Sequence, residues 1–168
     1  MLQTISQAED VALIEECEQA VVLLFANWSG PCLMGRNHLL EAASRLTEEQ
    51  PAAAAKVRWF EIDVSQQNGA LWERCRLWLR RQQLGPESRP EDSILSRIRV
   101  WWQRERLDHS GLMGSGSGPI LWCRSGNVVW YRCSAAGVAA GELLEDLHLA
   151  FQATEGPGVR QGVAGAGR

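Results

Sequence analysis

The hydrophobic pattern changes period several times along the chain, and each change marks an element. From Val21 to Ala26 every residue is apolar, and Gly30-Pro31 closes the run four positions on. A run this short with a turn signal at its end predicts a strand buried on both faces. Before it, Val11, Leu13 and Ile14 form the stripe of a short helix ending near Gln19. Ser6-Gln7-Ala8-Glu9 offers a capping box at its head. After it, Leu39, Leu40, Ala43 and Leu46 recur at helical spacing in a segment from about Pro31 to Glu49. Proline suits that first turn, where its missing N–H would have had no partner. Val57–Val64 reads as the next strand. Pro119–Cys123 opens another, and Val128–Tyr131 is its hairpin partner across Ser125-Gly126-Asn127. Ala140, Leu143, Leu144, Leu147 and Phe151 then line one face of a final helix.

Two segments interrupt this alternation. Between Asp63 and Pro119 lie 55 residues with two apolar stripes, Leu71–Leu79 and Ile94–Trp102. They predict two helices joined by a turn at 85–89, with Pro90-Glu91-Asp92 suited to the first turn of the second. The excursion leaves the carboxyl end of one strand and returns at the amino end of an antiparallel neighbour. It should therefore border the edge where the Val21–Ala26 strand ends, the edge at which open α/β sheets bind ligands. The tail from Thr154 has five glycines in fifteen residues and is expected to be disordered. The domain is thus placed at 1–153, with residues 66–116 as a helical insertion and 154–168 as the tail.

At 168 residues there is room for one domain with a full core. A net charge of −3 points neither to nucleic acid nor to a membrane surface. Residues 69–116 carry nine arginines against six acids, interleaved with four tryptophans. An excess of that size is far from a basic footprint, and solvated arginine faces over buried tryptophans account for it. Cysteines 17, 32, 75, 123 and 133 show no repeated metal-ligand spacing, and histidines 38, 109 and 148 sit on separate elements. No apolar run approaches membrane-span length and the first residues lack a basic leader, so a reducing cytoplasmic setting is expected. No cofactor is implied.

The segment Trp28-Ser29-Gly30-Pro31-Cys32, at the bend between a buried strand and a helix, resembles the redox site of the thioredoxin family, Trp-Cys-Gly-Pro-Cys. Ser117-Gly118-Pro119 at the start of a later strand matches the place of that family's cis-proline. The resemblance covers roughly residues 5–65 and 117–152. It implies a three-layer α/β fold with a central mixed sheet, here carrying the helical hairpin.

The departures decide what activity the resemblance implies. Ser29 stands at the position of the attacking cysteine, and Cys32 at that of the resolving one. A serine hydroxyl is almost never ionised near neutral pH, and the motif supplies no histidine as base. Leu23 aligns with the family's buried aspartate, and Trp59 with the lysine near it. A dithiol oxidoreductase is therefore not expected. The primary expectation is a binding module. Its protein or peptide partner would dock in the groove formed by Trp28, Ser29, Gly30, Pro31, Gly118 and Pro119, beside Cys32 and the insertion, with Gly118 offering main-chain pairing. The alternative is a single-cysteine thiol–disulfide exchanger with Cys32 as nucleophile, resolved by Cys75 or by external thiols.

Overall fold

The computed structural model describes residues 1–27, 29–63, 69–82, 118–132, 137–152 and 160–161. In chain order the elements are β1 Leu2–Ile5, α1 Val11–Glu16, β2 Gln19–Phe25, α2 Gly30–Glu49, α3 Pro51–Ala54 and β3 Val57–Asp63. They continue with α4 Ala70–Arg81, β4 Ile120–Arg124, β5 Asn127–Arg132, α5 Ala140–Gln152 and β6 Arg160–Gln161.

The strands form one mixed sheet in the order β1-β3-β2-β4-β5-β6. β2 lies at its centre, parallel to β3 with Leu23 opposite Glu61, and antiparallel to β4 with Leu23 opposite Ile120. Every residue from Ala20 to Ala26 is buried, so both faces of β2 are covered, as its unbroken apolar run predicts. Among the described helices α2 packs with α5 and with the short α3, and α1 packs with α4. This is the three-layer α/β arrangement expected from the sequence, and its order and strand directions are those of the thioredoxin-like fold. Among the described residues no helix is long and apolar enough to cross a membrane.

Four expectations differ from what is found. The strand β1 carries no alternation that reveals it, because Gln3 and Thr4 are exposed and only Ile5 is buried. It exists through main-chain pairing with β3, from Leu2 opposite Trp59 to Ile5 opposite Ile62. The capping box at Ser6–Glu9 does not form. The Asp10 carboxylate instead accepts the Gln7 N–H at 3.3 Å, and the helix begins one turn later at Val11.

The third difference concerns the first half of the insertion. Its helix α4 is packed into the core of the body. Trp78 and Leu79 are in the core, Arg74 pairs with Glu15, and the Trp78 indole N–H donates to the Gly126 carbonyl at 3.0 Å. The carboxamide of Gln82, just past the helix end, donates to the same carbonyl and accepts the Val128 N–H at 2.8 Å. That turn adjoins Glu18, which precedes β2, so α4 ends at the edge of the sheet opposite the site. The second expected helix, around Ile94–Trp102, lies outside the described residues, as does the 85–89 turn. Fourth, within the tail Arg160 and Gln161 pair in parallel with Trp130 and Tyr131. Composition does not reveal this, because ladder pairing uses main-chain groups that every residue but proline supplies.

The β4–β5 turn is as its residues predict. Ser125 and Gly126 both have positive φ (48° and 75°), the two-residue geometry whose twist suits a hairpin. A β-carbon on Gly126 would also lie 2.8 Å from the Glu15 carbonyl oxygen, so glycine is required there twice over.

Candidate functional site

The site is the bend where β2 ends and α2 begins, closed from the side by the start of β4. Ser29 takes the N-cap position with extended backbone (φ −91°, ψ 116°), and its Oγ accepts the Cys32 N–H at 3.4 Å. The Leu33 N–H adds a bond to the Ser29 carbonyl at 3.1 Å. Ser29 is 3% exposed. Its hydroxyl thus serves the helix terminus, where the first N–H groups lack intrahelical partners. Pro31 fills the first helical turn. Gly30 is exposed and has no atom within 4 Å of where a β-carbon would stand.

Cys32 has no exposed surface. Its Sγ accepts two backbone N–H groups, that of Gly118 at 3.2 Å and that of Ala26 at 3.4 Å. The sulfur thereby ties the end of β2 to the approach to β4. Gly118 is pressed against β2 so closely that a β-carbon would fall 1.6 Å from the Leu24 carbonyl oxygen. The Pro119 carbonyl accepts the Leu24 N–H at 3.0 Å, and both Gly118 and Pro119 are buried.

Two sequence expectations are corrected here. No peptide bond between described residues is cis, so Pro119 follows a trans bond, the lower-energy form by about 0.5–1 kcal/mol for proline. The Gly118 N–H is spent on Cys32 Sγ rather than presented outward. Of the expected groove, Ser29, Cys32, Gly118 and Pro119 come together in the interior, while Gly30 and the half-buried Pro31 face solvent. Trp28 lies outside the described residues. Beside Gly30, Leu33 and Met34 are 44% and 55% exposed on the first turns of α2. Sequence reasoning missed these two. The signal was there in Leu33-Met34 standing off the Leu39–Leu46 stripe.

The other described thiols sit on other elements of the fold. Cys75 is buried on α4, and its burial pushes the thiol up to about 12. Cys123 is buried on β4 and raised by burial as well. Cys17 is half-buried, and its thiol is raised first by burial, with the Arg58 charge opposing. Cys133 lies outside the described residues. Among the described residues no group of histidine, cysteine or acidic side chains is placed to hold a metal ion.

Sequence reasoning also missed a carboxylate on the α2 side of the sheet. Glu61 is 3% exposed, and its oxygens accept Arg36 Nε at 2.5 Å, Arg36 Nη2 at 3.1 Å and the Thr4 hydroxyl at 2.7 Å. The Glu61 hydrogen bond in turn raises the Arg36 guanidinium further, keeping it charged. The pair locks α2 to β3 by a two-pronged contact.

The chain has a thioredoxin-like α/β fold, in which a helix-capping serine and an interior sulfur stand where the sequence resemblance puts two cysteines. Among solved structures the chain is similar to the oxidised thioredoxin of Plasmodium falciparum, at 16% identity over 88% of this chain and 98% of that one, with a TM-score of 0.47. It is similar also to the Malassezia sympodialis thioredoxin Mala s 13, at 14% identity over 89% and 90% of the two chains, TM-score 0.46. Chlamydomonas reinhardtii thioredoxin f2 shares 12% identity over 90% and 97%, TM-score 0.47. No protein-family model and no curated protein matches the chain.

Proposed function

We propose that this domain is a non-catalytic binding module, which takes a protein segment on the surface formed by Gly30, Pro31, Leu33 and Met34. The observation that carries the reading is the burial of Cys32, whose sulfur is engaged by two main-chain amides while a capping hydroxyl fills the attacking position. Thiol–disulfide exchange needs in-line access of a disulfide to a thiolate, and neither group offers it. What the helix terminus does expose is apolar. Two adjacent exposed large apolar side chains on one helix are the kind of patch that marks an interaction site.

Single-cysteine exchange through Cys32 is the second reading, and one feature favours it: amide donors on a sulfur stabilise negative charge there. One experiment separates the two. Native protein is treated with a thiol reagent and labelling is read peptide by peptide, alongside a reductant-coupled protein-disulfide assay. The binding reading expects Cys32 unlabelled until denaturation and no turnover. Fast native labelling of Cys32, with turnover abolished by Cys32→Ser, overturns it. For the surface itself, Leu33→Asp with Met34→Asp should abolish capture of a partner that Leu149→Asp, at an equally exposed apolar position on α5, leaves intact. Equal losses would place the partner elsewhere.

A further inference from the structure

Met34 is 55% exposed on the first turns of α2, beside Leu33 at 44%. It stands off the buried face of that helix, so its thioether takes no part in the core. The thiols are placed the opposite way. Cys32, Cys75 and Cys123 have no exposed surface. Cys32 Sγ accepts the Gly118 and Ala26 N–H groups, and burial favours the neutral thiol at Cys75 and Cys123. Cys17 is half-buried, and burial raises its thiol as well.

Oxidation of a cysteine proceeds through its thiolate, so it needs both access and the loss of a proton. A thioether has no such proton to lose, and access decides its rate. At the bend between β2 and α2 the cysteine sulfur is shut in and the methionine sulfur is open.

We propose that Met34 is a modification site for hydroperoxides, and that its oxidation to the sulfoxide turns off the surface formed by Gly30, Pro31, Leu33 and Met34. This inference deepens the binding reading above and rests on it. The Met34 sulfur attacks the terminal oxygen of the hydroperoxide, and the S–O bond forms as the O–O bond breaks. Sulfur gives up two electrons, the proton passes to the departing oxygen, and water or an alcohol leaves. A polar, chiral group then stands where an apolar one stood. A partner that covers the patch must strip water from the S–O dipole, a cost that the thioether does not impose. Because Met34 lies off the buried face of α2, the change acts on the surface and leaves the fold in place.

The test treats the native full chain with hydrogen peroxide between about pH 6 and about pH 8 and reads each sulfur by peptide mass. Met34 should oxidise at least about tenfold faster than Cys32, Cys75 or Cys123, at a rate flat in pH, whereas a thiolate route rises about tenfold per unit. Retention on a phenyl resin probes the patch without any partner. The oxidised chain should elute earlier, return to its original position after treatment with sulfoxide reductases for both epimers, and keep its urea midpoint throughout. M34Q should elute early without oxidant, and M34L should hold its retention through the peroxide treatment. Met1 and Met113 remain in M34L, so a shift that came from them would persist there. The two readings fail separately: partner capture retained by the Leu33→Asp, Met34→Asp variant overturns the binding surface, and with it the switch, even where Met34 oxidises as expected. The modification itself is overturned if Met34 stays reduced while a buried cysteine reacts, if oxidation leaves retention unchanged, or if the shift persists in M34L.

Discussion

Two glycines that look alike in the sequence, each directly before a proline, should respond to the same substitution very unequally. Gly118→Ala would put a β-carbon 1.6 Å from the Leu24 carbonyl oxygen and 2.7 Å from its carbon. Both obstacles are main chain, so no side-chain rotation gives relief. The Gly118 segment must retreat from β2 by about 1.5 Å or more to regain ordinary contact. That movement breaks the Gly118 N–H bond to Cys32 Sγ and strains the Leu24 N–H bond to Pro119. Leaving buried polar groups unpaired costs about 1–3 kcal/mol each, so the substitution should cost about 3–5 kcal/mol. A domain of this kind has about 5–15 kcal/mol in total, so much of its stability goes. Gly30→Ala meets nothing within 4 Å, on exposed surface at the first helical residue. Reduced unfolded-chain freedom favours alanine there while crowding against the Pro31 ring opposes it, so the net change should stay within about 1 kcal/mol. Urea unfolding followed by tryptophan fluorescence, with equal slopes checked, reads the difference directly. A cost at Gly118 below about 1 kcal/mol, or equal costs at both sites, would refute the account of how β4 is held against β2.

Three further outcomes follow from the same geometry. Cys32→Ala removes the acceptor of two buried amides and should destabilise by about 2–4 kcal/mol in urea titration; a loss under about 0.5 kcal/mol would mean that the sulfur holds nothing. Ser29→Cys should form an intramolecular disulfide with Cys32 under mild oxidant, seen as the loss of two hydrogens by mass, at the cost of about 1 kcal/mol for the lost cap when reduced; failure to close would count against the thioredoxin-like geometry of the bend. The Asp146 carboxyl is raised above its ordinary range by burial, against the pull of Arg132. As pH falls the folded protein takes up that proton before the unfolded chain does. The residue's contribution to stability is therefore greatest below the unfolded value of about 3.9 and declines as pH rises through the folded value. A carboxyl NMR titration of Asp146 with a midpoint below 3.9 would contradict this.

How much of this was legible in the sequence depended on what kind of interaction makes each part. Elements made by burial were readable: β2, β3, α2, α5 and the β4–β5 hairpin all fall within a residue or two of their patterned segments. Elements made by main-chain pairing were not, and so β1 and β6 went unseen, since Gln3, Thr4, Arg160 and Gln161 carry no alternation. The helix α4 was seen, but its stripe does not say which surface it meets. The indole of Trp78 and the carboxamide of Gln82 decide that, by satisfying the Gly126 carbonyl and the Val128 amide. At the site, the Trp28–Cys32 and Gly118-Pro119 motifs located the right places. That Gly118 turns its amide inward depends on an approach between β2 and β4 that no local pattern encodes.

The loss of the first cysteine also belongs with the loss of charge around it. Leu23, where the resemblance puts an aspartate, is fully buried in a column with Val21 and Phe25, and its neighbour across the parallel pairing is Glu61. Glu61 is the acid closest in register to Leu23, yet its oxygens are held by Arg36 and Thr4. A carboxylate so engaged is a poor proton carrier, because taking up a proton would give up a two-pronged ionic contact. Trp59, in place of a lysine, is buried between Leu2 and Val21. A thiol that must turn over needs a route for its proton, and both positions where the resemblance puts one are apolar core in this chain. On the proposed binding reading, the Cys32 sulfur under two amides has a structural task, which is to hold the end of β2 to the approach to β4.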